Sequence, residues 1–270
     1  MATDTPPTTT PGQGVLSGQV MFYQRPEPLD PVRHAGLGMN RTDRPYSFAA
    51  TQHFVPLHVG EFGFAAVCYP IIFAGGDMTP MAVMGLQAGS NLFVGEDGGL
   101  RPGYYAPSFL RRYPFVGARD DKAERVIVCI DRASSLWVED DAEVKLFENG
   151  QPSEFTKSCI DFCSRFDADR AITEGFMKQI RELDLFETKQ TAYTPALPDG
   201  TPGEQQIVAE YFAVSRDKLN ALPLDVLDGL RANGALTQIY AHLTSLHGWD
   251  KLLAETLAIA GVGQPITVNA

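Results

Sequence analysis

The chain has 270 residues, 44% hydrophobic and 20% charged, with a formal net charge of −11 at pH 7. This length suits one large domain whose core needs neither disulfides nor metal. The acidic balance argues against a general nucleic-acid-binding protein, because neutralising phosphates takes clustered lysine and arginine. No apolar run is long enough to span a membrane. The N-terminus has no signal-peptide pattern and the four cysteines follow no secreted framework, so we expect a cytoplasmic protein with reduced thiols, with non-classical export left open.

Residues 1–14 are rich in threonine and proline and are expected to form a disordered tail. Residues 15–150 are expected to be the β-rich part of one domain, because short apolar stretches alternate there with turn-forming residues. Most connections between these stretches are too short for a parallel crossover, which favours antiparallel pairing in a sheet from about residue 50 to 131. The predicted strands are IIFAG, MAVMGL, NLFVG, FVGAR and RVIVCID.

Residues 151–270 are expected to be the α-rich part of the same domain. A hairpin with Asn149-Gly150 at its tip precedes a mostly helical segment, and a second helix is predicted over about 171–185. A proline- and glycine-containing loop then leads to a predicted strand centred on 207–214. Helices are expected to dominate 223–260. Within that range, the segment ALTQIYAHLTSL fits either a strand or a helix. The sequence therefore predicts an α+β fold with a mixed, largely antiparallel sheet, helices packed on it and an α-rich C-terminal part.

The segment PSFLRRYPF places two adjacent arginines, Arg111 and Arg112, among aromatic residues that include Tyr113. A guanidinium stacks on aromatic faces and binds carboxylate or phosphate with two parallel hydrogen bonds, so this segment is a candidate anion-binding corner. Adjacent residues point in different directions. We therefore expect one arginine to be buried and structural and the other to be exposed.

His53, His58 and Glu61 could supply two nitrogens and one oxygen to a metal, but two histidines five residues apart do not match a known ligand spacing. Half-buried histidines that bond to the backbone are the preferred interpretation, and no metal site is predicted. Cys159 and Cys163 share a helix face and are interpreted as small buried hydrophobic residues. No nucleophile motif, phosphate-binding loop or dinucleotide fingerprint occurs, so no cofactor is predicted.

Four segments in this order resemble the SapC family of bacterial proteins over nearly the whole chain after the first dozen residues: HFVPLHVGEFGFAAVCYPIIFAG, MAVMGLQAGSNLFV, GYYAPSFLRRYPFV and GALTQIYAHLTSLHGWDKL. The resemblance implies a surface-layer or serum-resistance label. It also implies that relatives are encoded beside TonB-dependent receptors and flavin-dependent halogenase-like proteins. It supplies no catalytic residues.

Three functions remain open. The first is an accessory protein of a bacterial surface or uptake pathway that recognises a peptide or partner protein through an aromatic-arginine surface, because tyrosine and arginine dominate such interfaces. The second is an enzyme of unassigned class that tailors a peptide or aromatic compound alongside a flavin-dependent enzyme, and the third is a surface-layer component. The candidate binding residues are Arg111, Arg112, Tyr113, Tyr105, Glu61, His58 and His53.

Overall fold

The fold is known from a computed structural model that describes residues 20–120, 125–194, 201–259 and 267–269. The segment 1–14, expected to be a disordered tail, lies outside these described residues. The strands within them are β1 (Pro26–Pro28), β2 (Leu37–Met39), β3 (Phe54–Pro56), β4 (Ile71–Ala74), β5 (Thr79–Val83), β6 (Phe115–Asp120), β7 (Arg125–Asp131), β8 (Trp137–Glu139), β9 (Val144–Lys145), β10 (Phe147–Glu148), β11 (Gln151–Pro152), β12 (Phe186–Thr194), β13 (Gln206–Val214) and β14 (Thr267–Asn269).

Short helices lie between the strands of the N-terminal part. Helices dominate the C-terminal part, as predicted. The helices are α1 (Phe62–Ala65), α2 (Ser108–Arg111), α3 (Glu154–Glu182), α4 (Arg216–Asn220), α5 (Leu224–Ala232), α6 (Ala235–Ser245) and α7 (Gly248–Ile259). Short 3-10 turns cover Ser47–Ala49 and Val59–Glu61. The α+β class is therefore confirmed.

The largest sheet has six strands in the order β14-β12-β13-β4-β5-β3, and all of its pairings are antiparallel. It takes strands from both sides of residue 150, because β13 joins β4 through the pair Phe212 and Phe73. A second sheet, β1-β7-β6, and a third, β8-β2-β9, are also antiparallel. The prediction of one sheet over 50–131 is wrong: β7 pairs with the N-terminal strand β1, and the free edge of β4 is taken by β13.

The segment NLFVG, predicted to be a strand, forms a loop with one isolated bridge between Val94 and Leu100. Asn91 organises this loop. Its side-chain oxygen accepts hydrogen bonds from the backbone N–H groups of Phe93 and Val94, and its amide donates to the carbonyl of Ala49. An asparagine side chain that forms hydrogen bonds with the backbone N–H groups of nearby residues replaces the bonds that those groups would make in a sheet. The segment therefore forms a loop and not a strand.

Helix α3 is one continuous helix of 29 residues, so the prediction of a separate helix over 171–185 is wrong. Ser153 caps its N-terminus: the Ser153 Oγ accepts a hydrogen bond from the N–H of Thr156 at 3.2 Å. No proline interrupts it, and Gly175 alone is not enough to break a helix that packs on both sides of that position. Strand β12 was also missed, and its last residues occupy the start of the predicted loop.

Helix α3 packs against two different cores. Its C-terminal half contributes Phe176 and Ile180 to the main core, which lies between the six-stranded sheet and helices α6 and α7. Its N-terminal half contributes Cys163 to a smaller core beneath β2, β6 and β7, with Cys159 packed at the edge. Cys163 is thus a small buried hydrophobic residue, as predicted, whereas Cys159 is only partly buried. The middle of α3, around Phe162 and Phe166, lies where the two cores meet.

None of the helices in the described ranges is long and apolar enough to cross a membrane. The same part of the chain holds no group of three or more histidine, cysteine, aspartate or glutamate side chains arranged to bind a metal ion.

Candidate functional site

Arg111 and Arg112 lie at the C-terminal end of the short helix α2, which begins after Pro107. Their side chains diverge: Arg112 is 9% exposed, whereas Arg111 is exposed to solvent. One buried and one exposed arginine is the arrangement expected from the sequence. Helix α3 provides the facing wall for both.

The Arg112 guanidinium is held between two rings rather than by a carboxylate. Its central carbon lies 4.2 Å from the ring centroid of Phe109 and 4.1 Å from that of Phe166, and Tyr23 lies at 5.6 Å. No ion pair in the described part of the chain involves it, and its Nε has no hydrogen-bond partner. Burial lowers the pKa of this arginine. Arg112 therefore contributes packing and cation–π contact at the junction of the two cores.

We expect Arg112→Met to fold as stably as the parent protein or to be more stable by about 1–2 kcal/mol, because it keeps the packed stem and removes a buried charge. Arg112→Ala should lose about 2–4 kcal/mol through the cavity left between Phe109 and Phe166. Urea unfolding at pH 7 measures both changes. A large loss in Arg112→Met would contradict this assignment and indicate that the guanidinium itself is required.

Arg111 is exposed but held in a fixed position. Its Nε donates to the carbonyl of Ala106 at 3.0 Å, and its Nη2 donates to the hydroxyl of Tyr105 at 3.2 Å. The guanidinium carbon lies 5.7 Å from the ring centroid of Tyr105 and 5.4 Å from that of Phe162. No carboxylate among the described residues pairs with it. A fixed, unpaired guanidinium at the surface can bind an anion with little loss of side-chain entropy.

Glu61 holds the Tyr105 side chain through a hydrogen bond to its hydroxyl and is itself buried, with 7% exposure. Its two oxygens accept four hydrogen bonds: from Tyr105 Oη at 2.8 Å, from Ser108 N at 2.6 Å, from Ser108 Oγ at 2.8 Å and from His58 N at 2.8 Å. Both oxygens act only as acceptors, which is the role of an ionised carboxylate. Glu61 therefore joins the turn before α1 to the start of α2.

His58 lies beside this network and is 7% exposed. Its ring centroid is 4.1 Å from that of Phe166, and its Nδ1 is 3.9 Å from Oε2 of Glu61 and has no hydrogen-bond partner. Burial lowers the pKa of His58, and the nearby Glu61 charge opposes this only in part. The imidazole is therefore neutral at pH 7.

The side chains of this site are not arranged for nucleophilic catalysis. The Ser108 hydroxyl donates to Glu61 and not to a histidine. Burial raises the pKa of Tyr105 to about 12, with the Glu61 charge adding to the effect. Burial likewise raises the pKa of Cys159 to about 12 and of Cys163 to about 11, so both are protonated thiols. The geometry suits binding better than covalent chemistry.

A pocket of about 450 Å³ opens between α3 and the Glu61 turn, with Arg111, Arg165 and Phe162 in its wall. Next to it, the Phe64 ring is 66% exposed and stacks on Tyr105 at 5.6 Å between centroids. We call the group formed by Phe64, Tyr105, Arg111, Phe162 and Arg165 the aromatic-arginine surface.

The structure brings together Arg111, Tyr105, Glu61 and His58, with Arg112 buried behind them. Two other candidate residues, Tyr113 and His53, lie elsewhere. The Tyr113 hydroxyl donates to Asp131 at 3.2 Å and its ring packs on Phe48 at 4.0 Å. The ring of His53 packs on its neighbour Phe54 at 4.2 Å, and burial lowers its pKa.

Phe162, Phe166 and Arg165 were not among the candidate residues, because their segment was predicted from the sequence only as mostly helical. Both rings are only partly buried. The signal that could have identified them is the pair of aromatic residues four apart with an arginine between them, which places rings and charge on neighbouring faces of one helix.

The chain matches the family model described as SapC over residues 29–252. No curated protein and no solved structure matches it. The matched range holds the Glu61 turn, both arginines and helix α3. Because the match covers most of the 270 residues, the chain belongs to the SapC family.

Proposed function

We propose that this SapC protein is a non-catalytic accessory protein that binds a peptide segment of a partner protein on its aromatic-arginine surface. The observation that carries the proposal is Arg111: it is exposed, held by two hydrogen bonds and two rings, and unpaired among the described residues. Fixed arginines beside exposed aromatic rings are characteristic of the residues that dominate binding energy in protein interfaces.

Exposed apolar area beside the arginine supports a protein ligand. Phe64 and Val67 are 66% and 84% exposed and both belong to the segment around α1. A large exposed aromatic ring contributes substantially to binding affinity when a partner protein buries it. The ring of Tyr105 connects this apolar area to Arg111.

Charge indicates which peptide would fit. The whole chain carries a net charge of −11, yet this surface presents Arg111 and Arg165 without carboxylate partners among the described residues. Asp169 lines the same pocket and provides one acceptor at its edge. We therefore propose a segment that carries a carboxylate for Arg111 next to an apolar side chain for Phe64.

We propose that the partner belongs to a bacterial surface or uptake pathway. The candidates are a flavin-dependent enzyme and a component of a TonB-dependent uptake system. We place the encounter in the cytoplasm, and the free cysteines Cys68, Cys129, Cys159 and Cys163 support a reducing compartment.

Site-specific photocrosslinking in the native host tests this function. A benzophenone amino acid at position 64 should crosslink to one partner protein, whereas the same probe at Tyr240, an exposed tyrosine on α6, should not. Arg111→Glu should reduce the crosslink at least about tenfold, because charge reversal at an interface arginine opposes an acidic partner.

The matched control is Arg231→Glu on α5, whose side chain is 70% exposed. Both variants should retain the melting temperature of the parent, since surface substitutions of this kind have small effects on stability. Equal crosslinking in the two variants, or equal crosslinking from positions 64 and 240, would rule out the proposed surface.

A further inference from the structure

A second pocket lies on the other side of Phe166 and His58 from the aromatic-arginine surface, between α3 and the edge of the six-stranded sheet. It has a volume of about 540 Å³, within the range of small-molecule sites. We infer that this pocket binds an uncharged aromatic compound that carries a hydrogen-bonding group. This inference does not rest on the proposed partner binding.

The walls of the pocket are mainly apolar and include two aromatic rings. Phe109 and Phe166 both line it, and both also contact the Arg112 guanidinium, which keeps them in place. Leu57 and Met177, each nearly fully buried, complete the apolar wall. Ring faces and a thioether favour a flat aromatic ligand over a flexible polar one.

The charged groups at the pocket are balanced, which favours an uncharged ligand. Arg170 is paired on the protein with Glu174 and with Asp167. Arg181 donates to the backbone carbonyl of Asp77 at 3.1 Å, and Asp77 also lines the pocket. An ion would have to compete with these pairs, whereas a neutral molecule would not.

His58 supplies the polar contact. It is more than nine-tenths buried and it lines the pocket. Its Nδ1 lies 3.9 Å from Oε2 of Glu61, so the nitrogen left for a ligand is Nε2, which has no hydrogen-bond partner among the described residues. The other buried polar side chain of the wall, Thr173, is already satisfied: its Oγ1 donates to the carbonyl of Asp169 at 2.7 Å and accepts from Val59 N at 3.0 Å. An unpaired nitrogen in an apolar wall selects ligands that can bond to it.

The test compares two probes that differ in one group, 2-naphthol and 2-methylnaphthalene, on protein labelled at the methionine methyl groups. Binding of 2-naphthol should shift the Met177 methyl resonance through the ring current, with a dissociation constant of about 0.1–1 mM for a ligand of this size. His58→Phe keeps an aromatic ring at this position but removes both ring nitrogens. It should weaken 2-naphthol binding about tenfold and leave 2-methylnaphthalene binding unchanged.

Thr79→Trp places an indole in the pocket wall and should abolish binding of both probes, whereas Ile172→Trp, at an exposed position of α3, should not. Arg111→Glu should also bind 2-naphthol normally, which separates this site from the proposed partner surface. A Met177 resonance that does not respond to 2-naphthol in the parent protein would overturn the inference. An equal response in His58→Phe would overturn the assigned role of His58.

Discussion

Glu61→Ala is expected to lower the free energy of unfolding by about 3–4 kcal/mol. The two hydroxyl donors that now face Glu61 can turn elsewhere. The backbone N–H groups of His58 and Ser108 cannot, and they would remain buried without acceptors. Chemical denaturation followed by circular dichroism measures the loss.

Two further variants make this prediction specific to the four-donor arrangement. Glu61→Gln keeps the shape but turns an NH₂ group toward donors, so it should lose about half as much stability. Glu154→Ala, at a side chain that is 90% exposed, should change stability by less than about 0.5 kcal/mol. If Glu61→Ala were as stable as Glu154→Ala, the Glu61 network would not be holding α2 against the turn before α1.

Acid should destabilise the protein through His242, a fully buried residue of α6 that contacts the main sheet. Its Nε2 accepts from Val214 N at 3.0 Å, and its Nδ1 bonds to the carbonyl of Ile71 at 3.0 Å. Burial lowers the pKa of His242 from 6.5 to about 3. Below pH 6.5 this histidine therefore binds a proton in the unfolded chain but not in the folded protein. The free energy of unfolding decreases as the pH falls toward 3.

The measurement is the unfolding free energy at pH 7.5 and at pH 5.0 for the parent and for His242→Gln. The parent should lose about 2 kcal/mol more than the variant over this interval. His58, whose pKa burial also lowers, contributes a loss of the same sign to both proteins. His247→Gln is the control, since that ring is exposed. Identical pH dependence in the parent and His242→Gln would show that another group is responsible.

Local chemistry predicted much of this fold. The hairpin at Asn149-Gly150 forms with both residues at positive φ, 51° and 73°, as a two-residue turn requires. Helix α5 ends before Gly234, which has φ of 81°. These features are set by residues next to one another in sequence, so the sequence alone is enough to find them.

Sheet partners were not predictable in the same way. Strand β4 pairs with β13, and the sequence contains no local signal that relates residue 73 to residue 212. The site has the same limit. The sequence indicated that one of Arg111 and Arg112 is buried, but Phe166 covers that arginine from a helix more than fifty residues later, and such contacts depend on tertiary packing.

The pairing of β4 with β13 also has a consequence for synthesis on the ribosome. Phe212 follows Phe73 by 139 positions, so the N-terminal strands emerge long before the strand that completes their sheet. At typical elongation rates this delay is roughly seven to thirty seconds. During that time the edge of β4, made of the apolar sequence IIFA, has no partner and can pair with other chains. Production of this protein should therefore benefit from slow expression and from chaperones that shield nascent apolar strands.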